Sequence, residues 1–257
     1  MTKRPNVTLN DIAKAVGVSK ATVSLAINND PRVARETRRN IKSMAEELGY
    51  VYNRGAAGLS TGKSNTVGLA VHDITNPFFT EVCAEAEARL TLNGKLAFLC
   101  NTNESLEQQS RFIEALIEHR ADGLILSPAD KTDIESLRPI FTRKLPTVLI
   151  ARYVEGSKLD FVGNDGVLAF KVATEHLIRL GHTRIAMAGG GQQTSVSRNR
   201  RAGFTETMEK HGLEIDPAHF VKCPTTPKGG EEAIQQILSL KNGHTAILCF
   251  TEVVGRG

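Results

Sequence analysis

The sequence predicts an all-α helix-turn-helix head followed by an α/β body with parallel sheets. Three observations carry that prediction. Apolar residues recur at helical spacing through roughly the first fifty residues. From Thr66 onward, short apolar runs alternate with amphipathic stretches, as strands and their crossover helices do. Charge changes at the same place: residues 1–65 hold 11 Lys and Arg against 5 Asp and Glu, and the remainder holds 21 against 23. A basic head on a near-neutral body implies that the head alone meets a polyanion.

Composition excludes several classes. The chain has 257 residues, 40% hydrophobic and 23% charged, which is ordinary for a globular protein. No apolar run approaches the length of a membrane span, and the N-terminus lacks the apolar core of an export signal. The expected location is therefore cytoplasmic, with no membrane partner. Cys83, Cys100, Cys223 and Cys249 are widely separated and form no CxxC, so reduced thiols are expected, with no metal and no cofactor.

In the head, Leu9, Ile12, Ala13 and Val16 line one helical face, with Thr8 as cap, Asp11 as capping-box partner and Gly17 as stop. Ser19 caps a second helix that buries Val23, Ala26 and Ile27 and leaves Lys20, Ala21, Thr22 and Leu25 pointing out. A third helix runs from about Arg35 to Leu48 and ends at Gly49. The short turn at Gly17 forces the first two helices to cross steeply, the arrangement that sets a recognition helix into a major groove. Lys20 suits a guanine edge or a phosphate, Leu25 a thymine methyl, and Thr22 and Ser24 phosphates.

In the body, strands are expected at Val67–Val71, Leu96–Cys100, Gly123–Leu126, Thr147–Ile150, Asp160–Val162, Arg184–Ala188, Phe220–Val221 and Ala246–Cys249. Helices are expected at Glu81–Leu92, Leu106–Glu118, Asp133–Phe141, Ala169–Leu180, Arg198–His211 and Gly230–Leu240. Ligands of such sheets bind outside the carboxyl ends of the strands. The residues found there include Asp73, Asn76, Phe78, Phe79, Asn101, Ser127, Arg152, Asp165, Arg200 and Glu252, with His72, Asn164, Gly189–Gly191 and Thr251 beside them. Amides, acids and an arginine offer bidentate partners to vicinal hydroxyls, and the aromatics offer a face for C–H stacking, which together suit a carbohydrate. Plain readings stand beside this one: Asn76-Pro77 as a helix start, Asp165 as a cap, Arg200 as a surface ion pair.

Two other chemistries fail on pattern. Gly62-Lys63-Ser64 resembles the end of a phosphate-binding loop, but Ala57 stands where that motif needs Gly, and the segment precedes a strand. Ser195, Ser197 and His182 lack a GxSxG elbow and a motif-placed acid, so hydrolytic catalysis is not expected.

Several motifs resemble the LacI/GalR repressor family: Thr8-Leu9-Asn10-Asp11-Ile12-Ala13, Val16-Gly17-Val18-Ser19, Ala21-Thr22-Val23-Ser24, and Glu47-Leu48-Gly49-Tyr50. In the body, Asn76-Pro77-Phe78-Phe79, Asp122-Gly123-Leu124-Ile125, and Arg200-Arg201-Ala202-Gly203-Phe204 continue the resemblance. It implies a head over 1–50, a hinge over 51–65 and a two-lobed body like periplasmic sugar-binding proteins, with lobes over 66–162 and 163–257. It also implies a dimeric regulator, read as a repressor, that binds pseudo-palindromic operator DNA and holds a sugar or sugar phosphate between the lobes. Base reading falls on Lys20, Ala21 and Leu25. The full expected DNA-facing set is Thr8, Ser19, Lys20, Ala21, Thr22, Ser24, Leu25 and Asn28, with Asn53, Ala56 and Leu59 in the hinge. Leu59 would wedge into the minor groove. Three departures accompany the resemblance: Ala34 replaces a capping Ser, Glu252 replaces the usual Asp after the last strand, and the family's chain ordinarily continues past residue 257. The second lobe is therefore expected to be incomplete.

Overall fold

The computed structural model describes residues 7–51, 64–191, 193–240 and 243–257. Asn53, Ala56 and Leu59 lie outside them. The chain divides into two units, Met1–Gly62 and Lys63–Gly257.

The head holds α1 (Leu9–Val16), α2 (Lys20–Ile27) and α3 (Arg35–Glu47). Gly17 stops α1 in the left-handed conformation at φ 73°, where a Cβ would be strained. Asp11's carboxylate accepts from both the Thr8 amide (2.9 Å) and its hydroxyl (2.7 Å), which closes the start of α1. The Thr8 hydroxyl is the first cause of Asp11's lowered pKa. Ser19 Oγ accepts from Thr22 N at 3.1 Å and caps α2. Ala34 gives α3 no side-chain cap. Ile12, Val23, Ala26, Val33 and Ile41 meet in one small core.

The body opens with β1 (Thr66–Val71), α4 (Pro77–Leu92), β2 (Leu96–Asn101), α5 (Leu106–Glu118), β3 (Gly123–Leu126), α6 (Arg138–Arg143), β4 (Thr147–Ile150) and β5 (Asp160–Val162). These strands form a five-stranded parallel sheet in the order β2-β1-β3-β4-β5. Then come α7 (Gly166–Arg179), β6 (Ile185–Ala188), α8 (Ser195–Lys210), β7 (Phe220–Val221), α9 (Pro227–Ser239), β8 (Ala246–Cys249) and α10 (Glu252–Gly255). The second sheet is parallel in the order β7-β6-β8. In both sheets the chain adds one neighbour on one side of its first strand and the next on the other, which leaves a crevice at the carboxyl ends.

Burial explains the apolar runs. Ile185 and Met187 of β6 face Phe170, Phe204 and Met208, whereas Ala186 and Ala188 face Val221, Ala233 and Ile237. Such a strand has no polar side to show. In the first layer, Ile113, Leu116, Leu124, Leu126, Ile140 and Leu149 fill the core. Gly203 lets α7 and α8 pack closely, because a Cβ there would lie 2.2 Å from the Val167 carbonyl. All four cysteines are free.

The expected strands agree with the structure within a residue or so, but helix starts differ. Helices α4, α7, α8 and α9 begin three or four residues earlier than periodicity suggests, each behind a capping side chain: Asn76, Asp165, Thr194 and Thr226. Their first turns are held by side-chain caps and so need no apolar stripe. Helix α6 starts at Arg138, not Asp133. Asp133 and Ser136 bind each other reciprocally in a turn, and Pro139 fits only a helix's first residues. The short α10 was not expected.

Candidate functional site

Two surfaces bear on function, one in each unit. In the head, Lys20 and Ala21 sit exposed at the N-terminal end of α2, and Thr22 is half-buried beside them. The Ser19 and Thr22 hydroxyls are 2.9 Å apart, one donating to the other. Ser24's carbonyl accepts from Asn28 Nδ2 at 3.0 Å at the far end of the helix. Leu25 is half-buried and packs against the head's core as well as showing an outer edge. Thr8 is exposed at the start of α1. Arg35 and Arg39 are exposed on α3, and no acid is recorded as paired with Lys20, Arg35 or Arg39 among the described residues.

In the body, a cleft of about 520 Å³ opens at the carboxyl ends of both sheets. Asn76, Phe78, Phe79, Arg152, Arg200 and Glu252 all line it. Asn76 Oδ1 caps α4 by accepting from Phe78 N at 3.1 Å. Phe79 is buried and stands edge-on to Phe78 and to His72, and Phe78 is exposed. On the opposite wall, Arg200 donates to the Phe250 carbonyl and lies over the rings of Phe250 (4.7 Å) and Phe170 (5.5 Å). Among the described residues no carboxylate pairs with it, and burial lowers its pKa. Phe250 reaches this place because residue 189 is glycine: with φ 117°, a Cβ there would lie 2.3 Å from Phe250 Cβ. Glu252 pairs with Arg256 one turn along.

The other expected residues stand apart from the cleft surface. Asp73 binds the amide and hydroxyl of Thr75. Asn101 accepts from Ile74 N and donates to Asn103. Asp165 caps α7 by accepting from Leu168 N at 2.9 Å. Ser127 is fully buried behind His72, whose Nδ1 lies 3.1 Å from its hydroxyl.

Arg152 is buried and anchored on every side. It donates to both carboxylate oxygens of Glu104, each at 2.8 Å, and to the Pro128 carbonyl at 3.0 Å. Its other contact is His72 Nε2 at 3.0 Å. A guanidinium only donates, so His72 Nε2 accepts, the ring is neutral, and Nδ1–H points at Ser127. Burial first, and then the Arg152 charge, push the His72 pKa down to about 4. Burial alone would raise Glu104, but its bonds to Arg152 outweigh that and hold it below its usual value.

Sequence reasoning missed Glu104, Tyr153, Asn199 and Phe250. Glu104 precedes the capping Ser105 in a polar turn and looks like surface; its partner is 48 residues away. Tyr153 donates its amide to Ser195 Oγ at 2.9 Å and its hydroxyl to Asn199 Oδ1 at 3.1 Å. The i, i+4 spacing of Ser195 and Asn199, one helical face with a polar stripe, was the available signal.

Residues 8–53 match the family model described as bacterial regulatory proteins, lacI family, and residues 64–257 match periplasmic binding proteins and sugar binding domain of LacI family. The chain is 31% identical over 257 residues to the maltose regulon regulatory protein MalI of Escherichia coli (strain K12), covering 100% of this chain and 75% of that protein. A solved structure of the transcriptional regulator CelR in complex with cellobiose is similar at TM-score 0.67 and 25% identity, over 98% of this chain and 76% of that one. The lac repressor dimer bound to operator and the anti-inducer ONPF shares the fold at TM-score 0.82 and 23% identity, over 95% of this chain and 73% of that one.

Proposed function

The chain belongs to the LacI family of transcriptional regulators, with a DNA-binding helix-turn-helix and an effector-binding body, and on that premise we propose that it represses a carbohydrate-utilisation operon. The observation that carries this reading is the exposed N-terminal end of α2, where Lys20 and Ala21 stand free on a basic head. In this reading Lys20, Ala21 and Leu25 meet base edges, while Thr8, Ser19, Thr22, Ser24 and Asn28 position the head on phosphates. Two heads of a homodimer read the halves of a pseudo-palindrome. Leu59, with Asn53 and Ala56 before it, enters the minor groove between them. The working division is 1–50 for the head, 51–65 for the hinge, and 66–162 and 163–257 for the lobes. Among the described residues no helix is long and apolar enough to cross a membrane; a cytoplasmic location is part of this proposal, because operator DNA is met there.

The effector is a sugar or sugar phosphate held in the cleft. Phe78 and Phe79 offer faces for C–H contacts, Asn76 and Arg200 offer donors to hydroxyls or to a phosphate, and the Arg200 donors not given to the Phe250 carbonyl can meet a ligand oxygen. The name of the maltose-regulon relative and the cellobiose in the CelR complex support a sugar. Asp73, Asn101, Ser127 and Asp165 act behind the surface, by holding the strand ends that carry the lining groups.

Selection from a pool of randomised duplexes tests the regulator reading. The chain should enrich an inverted repeat whose affinity falls steeply with salt, and Lys20→Ala and Leu59→Ala should each weaken binding at least tenfold. Recovery of no common sequence would overturn it.

A further inference from the structure

We propose that Tyr153 is a latch between the two lobes of the body, and that the turn at Ala151 and the Arg152–Glu104 pair are what position it. The segment leaves β4 at Ile150 and turns sharply. Arg152 N donates to the Ile150 carbonyl at 2.6 Å, and the residue between them, Ala151, has φ 59°. A bond spanning two residues around a left-handed centre is a γ-turn of the rare, strained kind. Such a conformation at a non-glycine residue persists only where the surroundings hold it. Here they do so on both sides: Ala151 N donates to the Val162 carbonyl of β5, and Arg152 is locked by Glu104, Pro128 and His72.

The turn points consecutive side chains in opposite directions. Arg152 goes into the first lobe and Tyr153 goes out to α8 of the second. Its amide and its hydroxyl take Ser195 and Asn199, four residues apart on one face of that helix. Its ring rests edge-on against Phe161 of β5, with centroids 5.5 Å apart, so the phenol is aimed before it meets its partner. Two further contacts extend the grip: Glu155 with Arg198 at 3.4 Å, and Asp130 accepting from Gln193 N at 2.9 Å.

Position gives the latch a regulatory meaning. Ala151, Arg152 and Tyr153 line the cleft, and Arg152, Tyr153 and Ser195 also line a second cavity of about 410 Å³. The latch is thus the partition between the two spaces. A molecule in the cleft touches the strap that sets the angle of α8, and α8 carries Arg200. A ligand can change that angle only by its unequal affinity for latched and unlatched forms. Arg152 is accordingly a positioning residue: it acts on the second lobe through Tyr153 and has no contact of its own with Ser195 or Asn199.

Hydrogen exchange followed by peptide on the ligand-free full chain tests this, and it does not depend on any DNA or effector assignment. Tyr153→Phe keeps the ring and the turn and removes one bond. It should speed exchange over 152–156 and 193–200 together, by about fivefold, while β1 and β6 stay unchanged. Arg152→Gln should speed exchange at 193–200 as well, and the double variant should exceed neither single change by much at that segment. If Arg152→Gln unfolds the chain, Glu104→Gln loosens the same anchor more gently and should give the same pattern. Unchanged exchange at 193–200 in Tyr153→Phe would overturn the latch. Arg152→Gln or Glu104→Gln acting only on 100–106 and 126–130 would overturn the positioning role.

Discussion

The two walls of the cleft handle charge in opposite ways. On the first-lobe wall the charged and ionisable groups are tied to one another: Arg152 to Glu104, Pro128 and His72, and His72 to Ser127. On the second-lobe wall Arg200 holds one carbonyl and two aromatic faces and, among the described residues, no carboxylate. The first wall's network is satisfied by the chain's own groups and needs no ligand to complete it. The second keeps N–H donors that a ligand can take without breaking an ion pair. Positioning and recognition are therefore divided between arginines of the same cleft.

That division is broken most directly by removing Glu104. Glu104→Ala strands a buried guanidinium, and loss of one partner of such a pair is costly. We expect the body to lose about 3 kcal/mol in urea unfolding, the lower end of the range because Glu104 is partly exposed. Arg200→Met, which leaves no charge behind, should cost about 1 kcal/mol, since only the Phe250 carbonyl loses its donor. Equal losses in the two variants would erase the distinction between the walls.

Acid should attack the first wall selectively. Burial and the neighbouring Arg152 charge push the His72 pKa from its ordinary 6.5 down to about 4. The unfolded chain therefore binds the proton first as pH falls. The contribution is fully present above pH 6.5 and drains away between 6.5 and 4, by about 3 kcal/mol over the interval. Glu104, held below its usual value, adds a further loss at lower pH still. His72→Asn should flatten the slope of stability between pH 6.5 and 4; a slope unchanged in that variant would remove His72 from the account.

The second wall is sharpened by Arg200→Lys. The substitution keeps the charge and discards the planar fork, so thermal stability should barely move. If the proposed sugar effector is found in a calorimetric screen of the parent chain, its affinity should fall about tenfold to a hundredfold in this variant. An unchanged affinity would mean that Arg200 serves only its aromatic neighbours.

The two walls were also unequally legible in the sequence. Arg200 stands in a local motif beside Gly203 and Phe204, which marked it in the sequence, although its aromatic neighbours Phe170 and Phe250 come from α7 and the end of β8. Asn76 and Asp165 carried two readings, and both proved to be caps; Asn76 also lines the cleft. The first wall's network was not legible, because Glu104, His72 and Arg152 come from three separate strand ends. Only the sheet order β2-β1-β3-β4 brings them within hydrogen-bond reach. The turn at Ala151 was invisible for a related reason: alanine is an ordinary residue, and its positive φ is imposed by tertiary contacts, not by composition. In the head, the caps and the spacing of Ile12, Val23 and Ile41 were local features, so helix limits could be read almost to the residue. Leu25 was the exception. Its outward position on the helical wheel is tempered by its neighbours, which half-bury it.

The smallest expected effect compares the caps on the two walls. Asn76 and Thr194 each give a helix N-terminus one acceptor, for Phe78 N at 3.1 Å and Ser197 N at 3.2 Å. If the difference between the walls lies in the ion network, the caps should be interchangeable in energy. Asn76→Ala and Thr194→Ala should each cost about 1 kcal/mol in urea unfolding. Thr194 is buried and Asn76 is half-buried, so a modest excess for Thr194 from lost packing is consistent with that view. A Thr194 loss several times larger would instead mean that α8 is held by its own N-terminus and not by the strap from the first lobe. The positioning attributed to the first wall would then have to be shared with the second.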